Sequence, residues 1–309
     1  MWLLLNLLIN LSMATVDESI SIEEVYRHQR QGQYVEAQEI LDTLVLANDT
    51  PVNRFEWARN LELQGEYEPA LQVYNELYRL RFTGEFGLNI AYRRGLMLSN
   101  LGEHRTAVRT LKRLRWRTLS ALDRRGVQLA LGAAEIQAGQ VERGMRRIEK
   151  VLGHLEQPNE WSWLQARARM AICEHLLILA SDTTLQAGDD LKVQMDQRAN
   201  WILQAEKQIQ VIIQLQEPEY VMKSLEHFAD SMVLFFDEVR MLPPPPDFTS
   251  TQAEIFEEEI AQQASVLADK AIGYYKLAVR FGDGLLWTGS AHPRMKKKVD
   301  ILETELRKL

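Results

Sequence analysis

Gly32-Gln-Tyr34-Val-Glu-Ala37-Gln-Glu-Ile40-Leu41-Asp-Thr-Leu44 is echoed one helix-pair later by Gly65-Glu-Tyr67-Glu-Pro-Ala70-Leu-Gln-Val73-Tyr74-Asn-Glu-Leu77. The phrase returns as Gly102-Glu-His104-Arg-Thr-Ala107-Val-Arg-Thr110-Leu111-Lys-Arg-Leu114 and as Gly139-Gln-Val141-Glu-Arg-Gly144-Met-Arg-Arg147-Ile148-Glu-Lys-Val151. The small residues at 37, 70, 107 and 144 are separated by 33, 37 and 37 positions. Two helices of about 13 residues with two short turns need about 34 residues, so the repeat unit is a helix pair. The glycine ends the first helix in a left-handed cap, where a side chain would clash. The small residue lets the second helix approach the first closely, and the apolar residues after it make a buried stripe.

The wider composition agrees. Of 309 residues, 46% are hydrophobic and 26% charged, ordinary values for a globular chain. Four of the nine prolines stand together at Pro243 to Pro246, which leaves long stretches without a helix breaker. Leu, Ala, Glu, Gln and Arg, all good helix formers, dominate, and no segment alternates apolar and polar residues between hairpin turns. The expected fold is all-α.

These residues resemble the tetratricopeptide repeat family, over roughly residues 18 to 155. The Gly-x-Tyr-x-x-Ala core is kept in the first two copies and loosely in the fourth, where Gly144 replaces alanine. Trp57-Ala58, Arg94-Gly95 and Leu131-Gly132 stand where the family favours Leu-Gly in its first helix. The resemblance implies a solenoid of helix-turn-helix pairs that holds other proteins and is not an enzyme. It also implies that the first helix of each pair lines a concave, partner-binding surface. Carried onto this chain, its contact positions are Tyr26, Gln29 and Arg30; Phe55, Arg59 and Glu62; Asn89, Tyr92 and Asn100; and Gln137. Aromatic anchors mixed with arginines and amides suit an extended or helical peptide. The alternative is that several of them pack only between repeats.

Past residue 155 the short period fades, while helical patterning predicts longer helices near 160–182, 192–215, 218–241, 250–281 and 292–307. This gives five segments: repeats over 15–155, a long-helix extension over 156–242, a proline-rich linker over 243–249, a C-terminal repeat-like cap over 250–309, and a leader over 1–14. Ala268-Asp-Lys270-Ala271-Ile-Gly-Tyr274-Tyr275-Lys-Leu-Ala278 again has second-helix spacing, and Gly282-Asp-Gly284 reads as the turn that ends it. The proline break, the acidic helix after it, this motif and Trp287 together resemble tetratricopeptide proteins in the periplasmic parts of trans-envelope machines of predatory and gliding deltaproteobacteria. That resemblance implies a subunit of an envelope assembly, with gliding motility among the candidates. The terminal segment from Lys296-Lys297-Lys298 to Leu309 is amphipathic; a capping helix and an oligomerisation helix would both look like this.

The N-terminus bears on location. Trp2 to Leu11 is apolar except for Asn6 and Asn10, and Ser12-Met13-Ala14 offers small residues where a signal peptidase cuts. The stretch is well short of the ~20 apolar residues of a membrane span. Export to the periplasm, with a mature chain starting at Thr15, is the expectation. A cytoplasmic adaptor initiated at Met13 is the alternative, since no Lys or Arg precedes the apolar core. The single cysteine, Cys173, allows no disulfide within the chain.

Net charge is −7, unevenly spread. From Arg105 to Lys150 there are twelve Lys/Arg against four acids; from Gly153 to Ala268, seven against nineteen. The basic zone meets an anionic partner, faces the acidic half of its own chain, or is solvated.

Motifs for chemistry are missing. The six histidines form no His-x-x-x-His pair, and Cys173-Glu174-His175 cannot converge on one ion because adjacent helical residues point about 100° apart. There is no phosphate loop, dinucleotide fingerprint or nucleophile elbow. Arg115-Trp116-Arg117 is the nearest thing to an anion contact, and stacking platforms for nucleic acid are absent. No catalytic residue, cofactor, metal, nucleic acid or small-molecule substrate is expected.

Overall fold

The computed structural model describes residues 21–114, 121–155, 161–188, 190–285 and 291–306. The leader over 1–14, the junction at Thr15, Arg115-Trp116-Arg117 and Trp287 lie outside the described residues. Among those described, thirteen helices and no strand occur. They are α1 (Ile22–Arg30), α2 (Tyr34–Ala47), α3 (Pro51–Gln64), α4 (Tyr67–Arg79), α5 (Gly84–Asn100), α6 (His104–Lys112) and α7 (Ala121–Gln137). α8 (Val141–Leu152), α9 (Ser162–Asp182), α10 (Leu191–Leu215), α11 (Pro218–Arg240), α12 (Ser250–Gly284) and α13 (Ala291–Leu306) follow. None of these is long and apolar enough to cross a membrane.

The turn chemistry works as the spacing requires. Gly32, Gly65, Gly102 and Gly139 all have φ between 70° and 86°. At Gly65 the two hydrogen bonds of a left-handed helix cap form: Gly65 N–H donates to the Glu62 carbonyl and Glu66 N–H to that of Leu61. The same pair of bonds closes the helices before Gly32, Gly102 and Gly139. The next helix begins within two residues, so each pair is a tight hairpin. Where no glycine is available other caps serve: Thr50 accepts from the Asn53 N–H ahead of Pro51, and Thr249 and Gln252 form a reciprocal capping box.

The repeated small residue sits where the helices cross. Ala37, Ala70 and Ala107 have no solvent exposure. In the fourth pair the contact is tighter: a Cβ on Gly144 would lie 2.5 Å from the Gly132 carbonyl oxygen of α7. Gly95 and Gly132 in the first helices face Leu111 and Ile148 of the second, each leaving too little room for an extra carbon. Leu41, Leu77, Leu111 and Ile148 are fully buried, worth about 1.5–3 kcal/mol each.

The chain forms two compact units, one ending at Ile90 and one beginning at Ala91, so the division falls within α5. In the first, α1 packs on α2, α2 on α3 and α3 on α4. In the second, α7 contacts α6 and α8 and also α9; α9 contacts α10 and also α11. In the second unit the helices thus stack with their sequence neighbours and, at α7 and α9, with the helix two along, a solenoid-like arrangement that includes the longer C-terminal helices. α11 packs along α12, and α13 closes against α12.

The long helices fall within a few residues of their expected bounds. One detail differs. Gly282 does not end its helix: α12 runs on to Gly284, and Gly282 is buried inside it, where a Cβ would come 2.7 Å from the His292 ring. Close approach of α13, not a turn, demands that glycine. The apolar stripe of α13 (Met295, Val299 and Leu302) is buried within the second unit.

Candidate functional site

In the first unit, α1 and α3 meet through polar side chains. The Tyr26 hydroxyl donates to Glu56 Oε1 at 3.0 Å, and Arg59 Nη1 pairs with Glu56 Oε2 at 3.2 Å. The Arg59 guanidinium lies 5.5 Å from the centre of the Tyr26 ring. Burial, followed by the Glu56 charge and hydrogen bond, pushes the Tyr26 phenol up to about 12. Beneath this trio, Gln29 Nε2 donates to Asn60 Oδ1 at 3.3 Å, and Asn60 donates in turn to the Tyr34 carbonyl and to Gln38 Oε1. Asn60 is wholly buried, so this ladder ties α1, α2 and α3 together from inside.

Of the six positions expected to face a partner here, Gln29 and Phe55 are buried. Phe55 packs against Tyr74 and Phe86 at ring distances of 5.8 and 5.3 Å. Glu62 is half-buried and accepts the Tyr74 hydroxyl at 3.2 Å. Arg30 is exposed and donates to the Tyr26 carbonyl of its own helix. Tyr26 and Arg59 are half-buried and brought together. The expected positions of α1 and α3 that keep some exposure are Tyr26, Arg30, Arg59 and Glu62: one aromatic ring, two cations and one carboxylate.

In the second unit Tyr92 is buried, stacked on Trp163 at 5.2 Å and edge-on to Trp161 at 6.4 Å. The Arg93 guanidinium lies 5.0 Å from the Trp163 ring centre. Asn100 accepts from Arg167 Nη2 at 3.0 Å, and Gln137 accepts the Ser99 hydroxyl. Gln137 also lines a shallow open recess of about 270 Å³ with His104, Arg105 and Thr106. α9 thus brings Trp163 and Arg167, one helical turn apart, against two of the expected α5 positions. Asn89 falls in the first unit, half-buried.

Trp163 and Arg167 were missed in the sequence because the repeat register stops near residue 155. Their i, i+4 spacing on a predicted helix was the available signal. Glu135 was missed too: fully buried, it gathers Lys112, Arg143 and Arg147 at 3.4, 3.0 and 2.8 Å. Part of the basic zone is therefore spent inside the fold.

Among the described residues these faces carry aromatic rings, charges and amides. Among the described residues no group of three His, Cys, Asp or Glu could hold a metal ion. Burial and the neighbouring Glu174 push the Cys173 thiol up to about 12, which leaves it protonated and inert. Glu174 turns instead toward His227, 3.7 Å away.

No family model matches the chain, and no curated protein does. Among solved structures, a tetratricopeptide repeat protein from Parabacteroides merdae ATCC 43184 is similar, with 14% identity and a TM-score of 0.38. The match covers 91% of this chain and 97% of that one.

Proposed function

We propose that this chain is a non-catalytic scaffold that holds protein partners on the first-helix faces of its helix pairs. The observation that carries the reading is the half-exposed Tyr26–Arg59 pair on neighbouring first helices, held by the buried Glu56, with exposed Arg30 beside it. A ring edge beside a cation that is already oriented by a buried carboxylate suits a peptide bearing acidic and apolar residues. In the second unit Trp163, Arg167 and Asn100 form the corresponding face.

The scaffold is further proposed to act after export, as a subunit of a periplasmic cell-envelope assembly, with a gliding-motility complex among the candidates. What supports this is the apolar segment from Trp2 to Leu11 followed by Ser12-Met13-Ala14, together with the resemblance of the C-terminal motifs. A cytoplasmic adaptor initiated at Met13 is the competing reading.

One experiment addresses both parts. The tagged full-length chain is isolated from its native envelope fraction, its N-terminus is sequenced, and captured proteins are compared with those of Arg30→Glu/Arg59→Glu. A mature start at Thr15 and loss of specific envelope proteins in the variant support the proposal. An unchanged partner set overturns the first-helix face as the binding surface, and a start at Met1 or Met13 overturns export.

A further inference from the structure

The uneven charge of this chain resolves into two complementary surfaces within the second unit. The first lies on the outer helices α6 and α8. On α6 and its C-cap, Arg105, Arg109 and Arg113 recur every four residues, opposite the buried Ala107, Val108 and Leu111. On α8, Arg143, Arg146 and Lys150 follow at i, i+3 and i+7. All six are exposed. Each row is about 10–12 Å long at 1.5 Å per residue. Glu135 binds Lys112 from α6 and Arg143 and Arg147 from α8, which brings the two rows side by side. Glu142 and Glu149 stand one turn from Arg146 (i, i+4 and i, i+3), so the cations without an acid on their own helix face are Lys150 and the α6 row. Arg105, Arg113 and Lys150 have no side-chain partner among the described residues.

The second surface is the start of α12. Tyr275 bonds Asp230, and the Tyr274 and Phe228 rings meet at 4.5 Å. In an antiparallel pair this register sets Arg240, the end of α11, level with about residue 265, so the first turns of α12 extend roughly 20 Å past it. Residues buried against the rest of the unit begin only at Ile260. The extending arm carries Glu254, Glu257 and Glu258 on one face (i, i+3, i+4), with Glu259 beside them, all exposed and without ion pairs among the described residues. No Lys or Arg occurs from Ser250 to Asp269.

We infer that the acidic arm of one copy docks between the cationic rows of α6 and α8 on a second copy, so that the chain assembles head to tail. Three carboxylates spanning about 6 Å of helix fit within rows of 10–12 Å. Contacts of this kind join different patches of two copies and therefore propagate, giving rings or filaments and not a closed symmetric pair. A scaffold built this way presents many copies of its first-helix face, and the inference stands whether or not that face is the partner site.

The test is sedimentation velocity on the full-length chain over a concentration series at low and high ionic strength. The wild type is compared with Arg105→Glu/Arg109→Glu/Arg113→Glu and with Glu254→Lys/Glu257→Lys/Glu258→Lys. Wild type is expected to associate at low salt and dissociate as salt screens the contact. Each triple variant alone is expected to associate at least tenfold more weakly. Mixed, the two should associate again, because every contact between them pairs opposite charges while every contact within either repels. Single reversals, Arg109→Glu and Glu257→Lys, carry the same comparison if a triple variant loses its helical circular dichroism. A wild-type chain monomeric at every concentration overturns the inference, as does a mixture that stays monomeric. Binding of phosphatidylglycerol vesicles through the same arginines by a chain that remains monomeric overturns it in favour of a lipid surface.

Discussion

Replacing Gly144 by alanine gives opposite signs under two accounts of the fourth repeat. If Gly144 is only a degenerate form of the alanine found at 37, 70 and 107, the change should stabilise α8 by about 0.5–1 kcal/mol through helix propensity. The structure argues otherwise. The new Cβ would sit 2.5 Å from the Gly132 carbonyl oxygen, 2.7 Å from Ile136 Cγ1 and 2.9 Å from the Ile136 nitrogen. Two of those atoms are backbone of α7 and cannot rotate away, so the helices must separate by several tenths of an ångström. Overpacking of this kind costs about 1–3 kcal/mol, which leaves a net loss of about 0.5–2 kcal/mol after the propensity gain. At roughly 2–4 °C per kcal/mol, Tm should fall by about 1–8 °C. Gly273→Ala supplies the control, because that helical glycine is exposed and a Cβ there meets nothing within 4 Å. It should be stabilised by about 0.5–1 kcal/mol. Differential scanning calorimetry of both variants decides the matter. A Tm for Gly144→Ala that rises as it does for Gly273→Ala would refute the claim that α7 and α8 touch backbone to backbone.

Further outcomes can be measured on the same chain. Arg198 is buried under the Phe235 ring at 4.4 Å and paired with Glu238. Glu238→Ala, which strands that charge, should cost about 2 kcal/mol or more in urea unfolding, whereas Arg198→Met should cost less. Equal losses would contradict the asymmetry. Burial pushes the Glu226 carboxyl up, but bonds from Arg294 and Lys298 outweigh it and hold it below its usual 4.5. A depressed carboxyl contributes stability above its unfolded value and loses it as pH falls through the folded one. The urea midpoint should therefore drop between about pH 5 and pH 3 by more in wild type than in Glu226→Gln. Tyr26, pushed up to about 12, should ionise about two pH units above an ordinary tyrosine. The phenolate absorbance difference between wild type and Tyr26→Phe should appear only near that pH, and a difference near pH 10 would place the hydroxyl in water.

The repeat was legible because its signals are local. A glycine in the left-handed region, a small residue five positions later and apolar residues at helical spacing act within one hairpin, so Gly32 to Leu44 predicts its own geometry. The same holds for the long helices, whose ends are marked by Pro218, by the proline run and by the Thr249–Gln252 capping box. Gly282 was misread for the complementary reason. A glycine reads as a helix end from its neighbours alone, and only the approach of His292 shows that it is needed inside a helix.

The first-helix positions were reachable only in part. The family resemblance implies a groove-facing place for Gln29, Phe55 and Tyr92, but whether a face is covered depends on what the next helices bring to it. Asn60, Tyr74 and Trp163 arrive from 19 to 71 residues away along the chain in the contacts described. Glu135 is the sharpest case: its sequence neighbourhood is an ordinary helix, and three cations from two other helices make its burial tolerable. The sequence by itself determined the all-helical class, the hairpin period and the places where helices cross, because helix ends and close contacts are set by residues a few positions apart. Tertiary structure alone decided which polar side chains are spent inside the fold and which stay exposed, because desolvation and ion pairing depend on groups that only packing brings within a few ångströms.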